Sequence, residues 1–116
     1  MGIISCGGIV SNLDTVEKKC YKLSSNNAWI PFPTMNEPRS FFAMEEVSGT
    51  LFGIGGLGAA MSMEWIDLTN GLSWTQQNLP FTIDKHCMTK FNETHLIVTG
   101  GQLNGTVCKI NFQLKM

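Results

Sequence analysis

Leu51-Phe-Gly-Ile-Gly-Gly56 is a short apolar run that stops on two adjacent glycines. The same shape occurs at Gly2-Ile-Ile-Ser-Cys-Gly-Gly8 and at Leu96-Ile-Val-Thr-Gly-Gly101. The first glycines of the pairs fall at 7, 55 and 100, in steps of 48 and 45. A recurrence of that length, built on strands, points to a repeat array. The run also contains Gly53-Ile-Gly55-Gly56-Leu-Gly58, the spacing of a dinucleotide-binding turn. Context excludes that reading: the pairs at 7–8 and 100–101 lack the flanking glycines, and no strand–helix–strand pattern surrounds 53–58.

Working outward, the middle unit reads as four strands. They are Ser40–Met44, Leu51–Ile54, Ser62–Leu68 and Leu72–Thr75, with a turn at 47–49 and a small-residue loop from Gly55 to Ala60. Asn70-Gly71 predicts a two-residue hairpin between the last two, because both positions tolerate positive φ. Four consecutive antiparallel strands make a meander, the unit of a β-propeller. The first unit has a strand at 2–6, a polar loop at 9–17, an alternating strand Lys19–Leu23, a turn at 24–27 and a very short strand Ala28–Ile30. Pro31, Pro33 and Pro38 then predict a strand-free connector, since proline donates no ladder hydrogen bond. The third unit has strands His86–Phe91, His95–Thr99 and Val107–Phe112. Residues 59–64 suit a helix but run straight into Trp65-Ile66, so no helix is expected. The expectation is an all-β fragment of about two and a half four-stranded antiparallel blades: part of one at 1–33, a complete one at 34–79 and part of a third at 80–116.

With 43% hydrophobic and 15% charged residues, the chain has the makings of a folded core rather than a disordered segment. Its net charge of −1 and scattered lysines and arginines exclude the basic footprint of a nucleic-acid binder. No apolar run approaches the ~18–20 residues of a spanning helix. The start, Met1-Gly-Ile-Ile-Ser-Cys, lacks the features of a signal peptide and reads as the interior of a longer protein. Cys6 and Cys20 fall on consecutive antiparallel strands at about the same level, so a bridge between them is sterically allowed. Cys87 and Cys108 fall on the first and third strands of one blade, ~9–10 Å apart by strand spacing and beyond the ~7 Å limit for bridging. The alternative for all four is a free thiol packed as a small hydrophobe. Asn92-Glu-Thr94 and Asn104-Gly-Thr106 are N-glycosylation sequons at expected turns. Cysteines and sequons together favour an extracellular, secreted setting, with the cytoplasm as the alternative. His86 and His95 should lie far apart, so no metal or other cofactor is expected. No Ser, His and Asp arrangement points to a nucleophile, so no catalytic residue is expected.

The spaced features resemble the kelch repeat over nearly the whole chain. The second unit carries Gly55-Gly56, Glu64-Trp-Ile-Asp67, Trp74 and Leu79-Pro80. The first carries Gly7-Gly8, Tyr21, Trp29, Pro33-Thr-Met35 and Pro38-Arg39-Ser40, and the third carries Gly100-Gly101 and Ile110-Asn111. Tyr21 precedes Trp29 by 8 residues and Ile66 precedes Trp74 by 8, so Ile66 holds the family's tyrosine position. The resemblance implies a propeller in which Gly-Gly turns the chain near the axis, Trp29 and Trp74 fill the wedge between blades, and Arg39 bonds loop carbonyls. It implies a non-enzymatic module that binds a protein or glycan partner through the loops 9–17, 57–61 and 102–105 and the inter-blade links. Known propellers have ~4–8 blades, so further blades are expected from a longer chain or an oligomer. Two alternatives stand beside this. One is part of a galactose-oxidase-like copper enzyme, although Tyr21 is the only tyrosine and the histidines do not converge. The other is an intracellular kelch adaptor without its recruitment domain.

Overall fold

Val47-Ser-Gly-Thr50 forms a two-residue turn. Ser48 and Gly49 both take positive φ, 52° and 83°, as a two-residue hairpin matched to strand twist requires. The Glu46 carboxylate accepts the Gly49 N–H at 2.6 Å and holds the turn closed. The computed structural model describes residues 3–10, 15–80, 82–93, 95–103, 106–107 and 111–115. Among these there are strands and no helix: β1 (Ile4–Cys6), β2 (Ile9–Val10), β3 (Thr15–Val16), β4 (Cys20–Leu23), β5 (Trp29–Phe32), β6 (Ala43–Val47), β7 (Thr50–Ile54), β8 (Ser62–Asp67), β9 (Thr75–Asn78), β10 (Ile83–Asn92), β11 (His95–Leu103), β12 (Thr106–Val107) and β13 (Asn111–Lys115).

All pairings are antiparallel. The first sheet has the order β1-β4-β5 and the second β6-β7-β8-β9. In the third, β10 lies on one side of β11, with β12 and β13 along its other edge. β2 and β3 form a separate two-stranded ribbon.

Alternation along the second sheet gives it two buried faces. Leu51 and Ile66, directly opposed, join Trp74 and meet Met35 of the following link and Cys20, Ile4, Cys6 and Phe32 of the first sheet. Phe52, Ile54 and Met63 point the other way and meet Ile83 and Leu96 of the third sheet. Phe52 stands opposite Trp65, with ring centroids 6.3 Å apart. The three sheets therefore pack against one another in chain order, and β7 at the centre of the second is buried on both faces, so its run 51–54 is apolar throughout.

Several boundaries differ from expectation. β6 begins at Ala43, because Ser40 is taken by an isolated bridge to Leu57. Asn70-Gly71 makes no two-residue hairpin: β8 ends at Asp67 and β9 begins at Thr75. The Asp67 carboxylate caps Thr69 N–H at 2.8 Å, and Gly71 N–H donates to Asp67 O at 2.7 Å, so the chain curls into a wider loop. Glycine is needed at 71 for close approach, since a Cβ there would lie 2.3 Å from Asp67 O. Pro31 lies inside β5 rather than beyond it, which is allowed because β5 is a sheet edge. The region 9–17 contains the β2–β3 ribbon instead of being wholly loop. Gly100 and Gly101 do not end a strand; β10 reaches back to Ile83 and continues the ladder past them, with His86 opposite Gly100 and Asp84 opposite Gln102. The ladder stops short of Gly55, because β6 starts opposite Ile54.

Candidate functional site

The loop after Gly55-Gly56 is held from both sides. Gly55 and Gly56 take φ of 65° and 98°. A Cβ on Gly55 would stand 2.3 Å from Ile83 O, so only glycine lets the second and third sheets approach here. Gly56 N–H donates to that same carbonyl at 2.8 Å. Leu57 and Ser40 exchange backbone hydrogen bonds at 2.7 and 3.0 Å, and Leu79 N–H donates to Met61 O at 2.6 Å.

Arg39 fastens the loop from beneath. It is fully buried. Its Nη1 donates to the carbonyls of Gly55, Ala59 and Ser62 at 3.0, 3.3 and 2.9 Å. Its Nη2 donates to Ser62 Oγ at 2.9 Å and to Glu64 Oε2 at 2.8 Å. Glu64 is also fully buried and accepts the N–H groups of Asn36 and Glu37 at 2.6 and 3.0 Å. The charge pair thus joins three separate segments: the proline-rich link, the loop and β8. Asn36 extends the network by donating from Nδ2 to Trp74 O at 2.9 Å, and Trp74 Nε1 donates to Pro33 O at 2.7 Å.

The first polar loop comes to the same place. Arg39 N–H donates to Glu17 O, and Gly8 N–H donates to Arg39 O, at 3.1 and 2.8 Å. A Cβ on Gly58 would lie 3.3 Å from Val16 Cγ1, so the β2–β3 ribbon packs against the loop 57–61. Ile9, Leu57 and Met61 are left exposed at this end. The structure therefore brings together two of the three loops singled out from sequence. In the third, Gln102 and Leu103 belong to β11 and residues 104–105 lie outside the described residues. The arrangement is a hydrogen-bonded loop cluster with the exposed apolar side chains of Ile9, Leu57 and Met61 at its tip. Among the described residues, no group of three or more His, Cys, Asp or Glu is placed to hold a metal ion.

The other singled-out residues separate into buried and exposed. Cys6 and Cys20 are opposite one another in register, with Sγ atoms at the disulfide distance of 2.04 Å and Cα atoms 4.1 Å apart. Trp74 is 5% exposed and Trp29 is 52% exposed. Among the described residues no sheet packs over Trp29 and its neighbour Tyr21, 40% exposed, whereas Trp74 has the first sheet. Asn92 lies exposed at the tip of the β10–β11 hairpin, its Oδ1 3.2 Å from His95 Nδ1. Cys87 lies within β10; Asn104 and Cys108 lie outside the described residues.

Sequence reasoning missed Glu64 as the partner of Arg39, 25 residues away, and missed Asn36 and Glu37 as its backbone donors. One signal was present. Glu64 shares a face of β8 with Ile66, and a carboxylate on a buried face needs a cation and donors. Among the described residues, no helix is long and apolar enough to cross a membrane. No protein-family model matches the chain, and no curated protein matches it.

Proposed function

We propose that the chain is a kelch-type propeller segment that works as a non-enzymatic protein-interaction module. The observation that carries this is the pairing of the β2–β3 ribbon with the loop 57–61 above the buried Arg39–Glu64 pair. Binding residues usually sit on loops positioned by a rigid scaffold, and this scaffold spends its one buried ion pair among the described residues on fixing such a loop. Ile9, Leu57 and Met61 then supply apolar contact at the Gly-Gly end. The propeller reading is supported by the head-to-tail order of the stack. Trp74 and Ile66 sit on the first sheet, while their equivalents by spacing, Trp29 and Tyr21, face outward. Continuing that order, the exposed face of the first sheet would seat another sheet of the same repeat. The Cys6–Cys20 bridge favours an extracellular setting.

The test is site-specific photo-crosslinking in the full chain. A benzophenone side chain at Met61 should crosslink one partner protein, and a chain with 57–61 replaced by glycine and serine should fail to compete. The same group at Leu72, exposed at the opposite end of β8, should not crosslink that partner. Capture through position 72 and not 61, or undiminished competition by the loop-replaced chain, would refute the assignment.

A further inference from the structure

We infer that Asn92 carries an N-linked glycan and that the glycan marks the end of the stack opposite the Gly-Gly loops. Three observations carry this, and none depends on the partner-binding reading. First, Asn92-Glu-Thr94 has the acceptor pattern. Second, Asn92 ends β10, His95 begins β11, and the register breaks between Lys90 and Asn92. The acceptor is thus the last paired residue of β10, opposite His95 just beyond a break in register, and both Asn92 and Glu93 at this tip are exposed. A side-chain amide must leave the surface to enter a transferase, and a hairpin tip permits that without unpairing a central strand. Third, the Cys6–Cys20 bridge fits the oxidising compartment in which such transfer happens.

The reaction is a substitution with no change in oxidation state. A bond forms between Asn92 Nδ2 and the anomeric carbon of a lipid-diphosphate-linked oligosaccharide. The bond from that carbon to the diphosphate oxygen breaks, the lipid diphosphate leaves, and one amide proton passes to a base on the transferase.

The position has a consequence. Glu93 accepts a hydrogen bond from Ser48 Oγ, so the β10–β11 tip lies beside the turn that starts β7. Gly55-Gly56 follow the other end of β7, about 17 Å away at ~3.4 Å per residue. A bulky, hydrated glycan at Asn92 therefore covers the hairpin-tip end and leaves the Gly-Gly end open.

The experiment uses the native chain from its source cells. Peptide-N-glycosidase treatment in heavy-oxygen water should lower the intact mass and leave labelled aspartate at position 92. Expressed in the same cells, Asn104→Gln should keep this glycan, Thr94→Ala should lose it and Thr94→Ser should retain it. Unlabelled Asn92 in the native chain, label at 104 alone, or a glycan on 92 that survives Thr94→Ala would overturn the inference.

Discussion

Replacing Arg39 by methionine keeps an apolar stem and removes the guanidinium. Five hydrogen bonds are lost, three to carbonyls and two to Ser62 Oγ and Glu64. The carbonyls of Ala59 and Ser62 keep other donors, the N–H groups of Ser62 and Gly55, so their share is small. Most of the cost falls on Glu64, which becomes a buried carboxylate with two backbone donors and no cation. Removing one partner of a buried pair costs about 3–5 kcal/mol. A domain of this size is stable by about 5–15 kcal/mol, so the variant should lose a large share of its stability. At about 4 °C per kcal/mol for a chain of this length, Tm should fall by about 15 °C. Adding Glu64→Leu removes the stranded charge. The N–H groups of Asn36 and Glu37 then lose their acceptor, at about 1–3 kcal/mol each if they stay buried, so recovery should be partial. Urea titration of the four chains, followed by tryptophan fluorescence with Trp74 as a buried reporter, gives the cycle. A loss below about 0.5 kcal/mol for Arg39→Met, or single-variant losses that simply add in the double variant, would refute the assigned role of the pair.

Three further outcomes follow from the packing. Gly55→Ala adds a methyl against Ile83 O in a left-handed conformation, whereas Gly8→Ala, also left-handed, meets nothing within 4 Å. The first should cost about 2–4 kcal/mol and the second about 1–2 kcal/mol, both read from denaturant midpoints. Trp74→Ala should cost about 3–5 kcal/mol, and Trp29→Ala about 1 kcal/mol or less, compared by thermal melts of the two variants. Reducing the Cys6–Cys20 bridge, with its sequence separation of 14, should lower unfolding stability by about 3 kcal/mol from loop entropy, measured with and without reductant.

What could be read from the chain was local. The run Leu51–Ile54 is apolar throughout because both of its faces are buried, and Gly55-Gly56 mark its end because a Cβ there would lie 2.3 Å from Ile83 O and 2.6 Å from Ser40 O. The opposition of Cys6 and Cys20 follows from two strands and a connection that returns to the same level. What failed was non-local. Asn70-Gly71 carries a hairpin signal, yet Asp67 caps the chain first and the longer loop delivers Trp74 to the first sheet. Trp29 and Trp74 have the same spacing from their preceding strand positions, but burial depends on which sheet lies across from each. Gly100-Gly101 look like Gly55-Gly56, but the ladder partner that decides their role begins at Ile83. Arg39 could be assigned to carbonyls, while its carboxylate partner required the strand β8 to be placed in three dimensions.

The stacking order of the three sheets is most directly measured by methyl and aromatic NOEs on the full chain. One set should connect Leu51, Ile66 and Trp74 with Ile4 and Phe32 of the first sheet, and a separate set should connect Ile54 with Ile83 and Leu96. Absence of either set, or NOEs from Ile4 of the first sheet directly to Leu96 of the third, would contradict the order in which the sheets are stacked.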